Sequence, residues 1–242
     1  MKHEFNKITD GIYRLDVPFE NLYTSVFLVE GEHPVLIDAA TTRTDVEEII
    51  VPALLAKGYD RDMRGYLLVT HRHGDHSGGA KWMLAHFPNL EQVSLKDGDR
   101  LGVLEAVLLA GHTADSMGYI DTRTRSLISG DALQFFGVGG YGCSLATVKG
   151  YEKTVKKIAS LELCNLLLSH PFVGGAWESL GKEAVLDLCR TLEESWNAVK
   201  TFILEALEET DDISEIKARY AERFAGMPPL PRLTVESVRE QR

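Results

Sequence analysis

Apolar and polar residues recur along this chain at two periods, and the change from one to the other marks its elements. Residues 11 to 38 read as strands. Gly11-Ile12-Tyr13-Arg14-Leu15-Asp16-Val17 alternates, Pro18 to Asn21 supplies a turn, and Tyr23 to Glu30 is β-branched and aromatic. Gly31 to Pro34 turns again before a short buried strand, Val35-Leu36-Ile37-Asp38. From about Thr44 to Lys57 the spacing becomes helical, with Val46, Ile49, Ile50, Leu54 and Leu55 on one face and Gly58 as the stop. Leu67 to Val69 predicts a strand, and Ser77 to His86 a helix ended by Pro88.

Further strands are predicted over Glu91–Leu95, Val103–Leu109, Gly118–Asp121 and Ser126–Ser129. Residues 132–149 read as an irregular loop, Tyr151–Leu161 as a helix and Asn165–Ser169 as a buried strand. A long amphipathic helix spans Lys182 to Glu209, with Val185, Leu188, Leu192, Trp196, Val199 and Ile203 on one stripe. Asp212 starts a second helix, with Glu215 placed for a capping box and Gly226 at its end. Pro228, Pro229 and Pro231 break the chain before a short tail. The helical end, from about residue 180 to 242, reads as an extension of one domain spanning 1–242. It serves either as core cover or as a pocket lid or homodimer surface.

Composition narrows the class. With 242 residues, 44% hydrophobic and 26% charged, the chain can bury a sizeable core. A net charge of −10 argues against a nucleic-acid partner, which needs clustered Lys and Arg. Three cysteines without a CxxC pair point to reduced thiols and a cytoplasmic location. No apolar run reaches membrane-spanning length, and Met1 to Lys7 lacks the apolar core of a signal peptide.

The chemistry concentrates in Thr70-His71-Arg72-His73-Gly74-Asp75-His76-Ser77-Gly78-Gly79, straight after the strand 67–69. Imidazole and carboxylate are the ligands that zinc and other first-row divalent ions take from proteins. In an extended segment His71, His73 and Asp75 face one way, and His76 turns off beside them as a helix begins. Three more ligand-type residues follow predicted strands: His112 in Ala110-Gly111-His112-Thr113, Asp131 in Ser129-Gly130-Asp131, and His170 after Ser169. Such strand ends form binding crevices in α/β folds.

Together these motifs resemble the metallo-β-lactamase superfamily over about residues 11–175. The resemblance implies an α/β fold, a four-layer αββα sandwich with the metal site at one edge between the sheets. It implies two divalent ions, zinc first, with iron or manganese as alternatives. His71, His73 and His112 would hold one ion, Asp75, His76 and His170 the other, and Asp131 would bridge them. A hydroxide bridging the ions would then cleave a small ester, thioester or lactone, with Asp75 in a catalytic role. The bridging Asp131 speaks against an antibiotic-degrading lactamase, and the full ligand set against a catalytically silent scaffold. The alternative on the same fold is a mononuclear iron enzyme oxidising persulfides. The pattern departs from lactonases, which carry Tyr where Gln134 stands, and lacks a convincing basic patch for glutathione. Phe135, Phe136, Tyr141 and Trp177 stand near the later ligands in sequence. Phe136 and Tyr141 are the pocket candidates, set against plain packing.

Overall fold

The computed structural model describes residues 3–20, 22–133, 144–171 and 178–241. The pocket candidates Phe136 and Tyr141 lie outside these residues, as do Gln134, Phe135, Cys143 and Trp177. The chain divides into two compact units: residues 1–107 with 119–124, and residues 108–118 with 125–242.

The first unit is built on a six-stranded sheet in sequence order: β1 (Asn6–Thr9), β2 (Ile12–Phe19), β3 (Leu22–Val29), β4 (Val35–Ile37), β5 (Gly65–Leu68) and β6 (Leu90–Gln92). The period-two signal is realised in β2, where Ile12, Leu15 and Val17 are buried, and β2 pairs antiparallel with β3 from Ile12↔Val29 to Phe19↔Leu22. β2 runs through Pro18, which the sequence assigns to a turn. Its partner β1 is short and broken in register between Lys7 and Thr9. β4, β5 and β6 pair parallel, so the two crossovers between them carry helices.

The first crossover helix opens as a wide, π-helical turn over Asp45–Ile50 and continues as α1 (Val51–Ala56). In the wide turn Val51 N–H bonds the Val46 carbonyl five residues back, and Pro52, next along, has no N–H to give the Glu48 carbonyl. Val46, Ile50, Leu54, Met83 and Phe87 share one buried cluster with Leu15, Val17, Leu28 and Leu67. Met83 lies on α3 (Ala80–His86), and Phe87 follows its last residue.

The second sheet has the order β12 (Glu178–Leu180), β11 (Asn165–Leu167), β10 (Ser126–Ile128), β9 (Met117–Asp121), β8 (Leu104–Leu108) and β7 (Arg100–Leu101). In the second unit β10 and β11 run parallel, and β12 runs antiparallel to β11. Four helices follow the pattern of buried residues: α4 (Val148–Ser160), α5 (Lys182–Glu209), α6 (Ile213–Arg223) and α7 (Arg232–Arg239). α5 coincides with the predicted span and buries Val185, Cys189, Leu192, Trp196, Val199 and Ile203 at helical spacing. It packs on α4, α6, α7, β11 and β12, which makes the C-terminal helices core-forming. α6 is capped by Asp212, whose side chain accepts from Ser214 N–H at 2.8 Å. The predicted tail forms α7 instead, with Pro231 as its N-cap. Among the described residues no helix is long and apolar enough to cross a membrane.

Candidate metal centre

In the first unit, β5 ends at Leu68 and Val69-Thr70 leads into the histidine cluster. His73 is the last extended residue, with ψ at 150°, and α2 (Gly74–Ser77) begins directly after it. Asp75 therefore projects from the first turn of a helix beside His76, where the sequence pattern places it on an extended segment with His71 and His73. The His71 ring lies 4.5 Å from that of His73 and 4.2 Å from that of His76, centroid to centroid. His71 Nε2 and His73 Nδ1 are 3.0 Å apart. His76 Nε2 is 3.4 Å from Asp75 Oδ2. His71 and His76 are buried, Asp75 is half-buried and His73 is exposed.

One residue essential to this arrangement is not singled out by the sequence motifs. Asp38, fully buried beyond the end of β4, accepts from Thr70 N–H at 2.7 Å and from the Thr70 hydroxyl at 2.9 Å. It also accepts from His76 Nδ1 at 2.7 Å. A carboxylate has no proton to give, so His76 carries its proton on Nδ1 and turns Nε2 outward, as a metal-ligating imidazole requires. The signal available in the sequence is a lone acidic residue closing the apolar run Val35-Leu36-Ile37. Nearby, Tyr119 donates to the Val69 carbonyl at 2.9 Å. Burial, and secondarily the Asp38 charge, pushes its phenol above the usual tyrosine range.

Two glycines of the motif, Gly78 and Gly79, serve close approach. Ala39 N–H bonds the His76 carbonyl at 2.8 Å and Gly79 N–H the Ala40 carbonyl at 3.1 Å, which presses this turn onto the 38–40 segment. A Cβ on Gly79 would stand 2.0 Å from the Ala39 oxygen and 2.8 Å from Val46 Cγ2. Gly79→Ala is expected to cost about 1–3 kcal/mol as overpacking, seen as a lowered urea midpoint. A midpoint equal to wild type would show that the turn relaxes freely.

The second unit holds its own ligand-type residues, His112, Asp131 and His170. His112 follows β8, and its Nδ1 lies 3.0 Å from the Ser144 carbonyl. A carbonyl only accepts, so His112 too is protonated on Nδ1 with Nε2 left as the ligand atom. Asp131 is buried one residue beyond Gly130, which turns at φ 55°. Its Oδ2 is 3.7 Å from His112 Nε2 and its Oδ1 is 3.6 Å from His170 Nε2.

The donor spacing fits metal ligation. Two ligands bound about 2.0–2.1 Å from one tetrahedral ion stand about 3.4 Å apart. The Asp75–His76, Asp131–His112 and Asp131–His170 contacts, at 3.4, 3.7 and 3.6 Å, cluster at that separation. They lie beyond the range of ordinary hydrogen bonds. The chemistry matches as well, since neutral imidazoles and carboxylates suit zinc, iron and manganese alike.

Residues 20–102, which include the histidine motif, match the sequence model of the metallo-beta-lactamase superfamily. A hydroxyacylglutathione hydrolase of Francisella tularensis subsp. holarctica is 29% identical over 112 residues, covering 40% of this chain and 44% of that protein. A lactamase-like protein of Aspergillus niger is 28% identical over 174 residues, covering 65% of this chain and 51% of that protein. The chain thus spans about half the length of the curated relatives it matches. Among solved structures, a metallo-beta-lactamase family protein from Thermus thermophilus superposes with a TM-score of 0.71 at 17% identity, covering 97% of this chain and 95% of that one. The architecture of two sheets and helices, mixed α/β with C-terminal helices, is the metallo-β-lactamase fold. The chain therefore has the metallo-β-lactamase fold, and over residues 20–102 its sequence is similar to the metallo-beta-lactamase superfamily.

Proposed function

We propose that the chain is a binuclear metal-dependent hydrolase of small esters, thioesters or lactones. His71, His73 and His112 would hold one divalent ion and Asp75, His76 and His170 the other, with Asp131 shared. The observation that carries this reading is the orientation of the imidazoles. His76 and His112 each commit Nδ1–H to an oxygen acceptor and present Nε2 3.4–3.7 Å from a carboxylate. Divalent ions in such a site acidify water and polarise a carbonyl oxygen, which provides a nucleophile without Ser or Cys. Asp131, with its oxygens toward different histidines, is shaped to be shared between ions. Asp75, half-buried beside His76, is placed to accept a proton from the attacking water and pass it to the leaving group. The thioester class gains support from the relatives named hydroxyacylglutathione hydrolase, since an acylglutathione is a thioester. Zinc as the native metal and a cytoplasmic location belong to the same proposal.

The test is elemental analysis of metal-replete protein together with a panel of chromogenic ester, thioester, lactone, phosphodiester and cephalosporin substrates. The expected result is two ions per chain and turnover confined to carbonyl substrates of the first three kinds. One ion or none in replete protein overturns the binuclear reading. Oxygen uptake with glutathione persulfide, in place of hydrolysis, would assign the iron dioxygenase alternative.

A further inference from the structure

The short segment Ser144–Val148 is stitched alternately to two parts of the second unit. The Ser144 carbonyl takes the His112 Nδ1 proton at 3.0 Å. Leu145 N–H donates to Thr234 Oγ1 at 3.1 Å. Thr147 N–H donates to the Gly111 carbonyl at 3.0 Å, and Val148 N–H donates to Ser237 Oγ at 3.0 Å. Every second contact therefore reaches the His112 loop, and those between reach α7. Thr234 and Ser237 stand three residues apart on one face of α7, and both are buried.

The donors they satisfy need outside partners. Val148 opens α4, where N–H groups have no acceptor within the helix, and Leu145 precedes the helix altogether. Both residues are buried, so water is not available to replace the hydroxyls. The start of α4 in turn lies flush against the His112 loop. Thr154 Oγ1 donates to the Ala110 carbonyl at 2.7 Å, and a Cβ on Gly111 would stand 2.8 Å from Tyr151 Cα.

We infer that α7 is a positioning element for His112: Thr234 and Ser237 fix Ser144–Val148, which fixes the tautomer and direction of the His112 ring. The inference rests on His112 being a metal ligand, as proposed above, but its mechanical part stands without metal. Val235 and Val238 are buried on the same helix and supply packing without any hydroxyl, so they separate positioning from bulk stability.

The experiment uses the full chain as Thr234→Val, Ser237→Ala and the double variant. Thr234→Ser serves as rescue and Val235→Ala as a packing control. In metal-stripped, 15N-histidine-labelled protein, the His112 Nδ1–H resonance, assigned by its loss in His112→Gln, is followed by solvent exchange. Exchange at least tenfold faster is expected in Thr234→Val and Ser237→Ala, with wild-type behaviour in Thr234→Ser and Val235→Ala. Zinc titration of the same proteins is expected to show about a tenfold weaker site in the double variant, as for lost outer partners of metal-bound histidines. Unchanged exchange in both single variants, or equal acceleration in Val235→Ala, overturns the inference. If the double variant fails to fold, the single variants decide. Wild-type protein that takes up no zinc refutes the metal proposal instead, and the exchange comparison still decides the role of α7.

Discussion

Asp131→Ala is expected to lower turnover on the order of a thousandfold, about 4 kcal/mol of transition-state stabilisation, and to reduce the number of zinc ions retained after dialysis. Asp131 is buried and aims one oxygen at His112 and the other at His170. Removing it takes away the carboxylate that stands within 3.7 Å of His112 Nε2 and 3.6 Å of His170 Nε2. The fold should survive. Backbone bonds hold this turn independently of the side chain, with Ser129 N–H on the Leu167 carbonyl at 3.0 Å and Ala132 N–H on the Ser129 carbonyl at 3.2 Å. The measurement pairs steady-state rates with metal analysis and a thermal melt. Near wild-type turnover with full metal content would make Asp131 an ordinary loop residue.

The second large effect concerns stability. Asp38→Ala is expected to cost about 3–5 kcal/mol, as when one partner of a buried charged network is removed. Alanine would take this acceptor from Thr70 N–H and His76 Nδ1–H, and leave the Thr70 hydroxyl with His71 Nδ1 at 3.2 Å. The backbone adds to the penalty. Asp38 sits at φ 65°, a left-handed conformation that Asp and Asn tolerate far better than residues with a plain Cβ. Asp38→Asn should therefore be milder in urea denaturation. It should still weaken metal binding by about 10- to 100-fold, because an amide cannot accept from all three donors. A loss below about 1 kcal/mol in the alanine variant would show that water takes over the carboxylate's role.

Sequence makes the ligand-type residues of the two units unequally visible. The run His71 to His76 is legible because its ligand-type residues are neighbours in the chain. His112, Asp131 and His170 are each single residues, and only their shared position after strands raises them above background. Asp38 shares that position too, yet an acid ending a strand also reads as a strand simply meeting solvent. Its partners at 70 and 76 are brought to it only by the parallel pairing of β4 with β5. The placement of Asp75 fails for a local reason, since the helical turn starts at Gly74 and takes the aspartate out of the extended segment. α5 is legible to its ends because its apolar stripe is long. β1, β12 and α7 are too short for periodicity to register, and the prolines before α7 hide a helix start that Pro231 itself provides.

Both sheets finish in very short strands. β1 and β6 at the edges of the first have four and three residues, and β12 and β7 at the edges of the second have three and two. The longest of these is further broken in register at Lys7–Thr9. A row of free backbone donors and acceptors invites a strand from a second molecule, and shortness, bulges and lysines are how proteins refuse it. Among the described residues, the fold thus offers an incoming chain no long backbone template at either end of either sheet. Edges this short favour self-association through side chains, where it can be selective, over the strand-by-strand addition that starts an ordered aggregate.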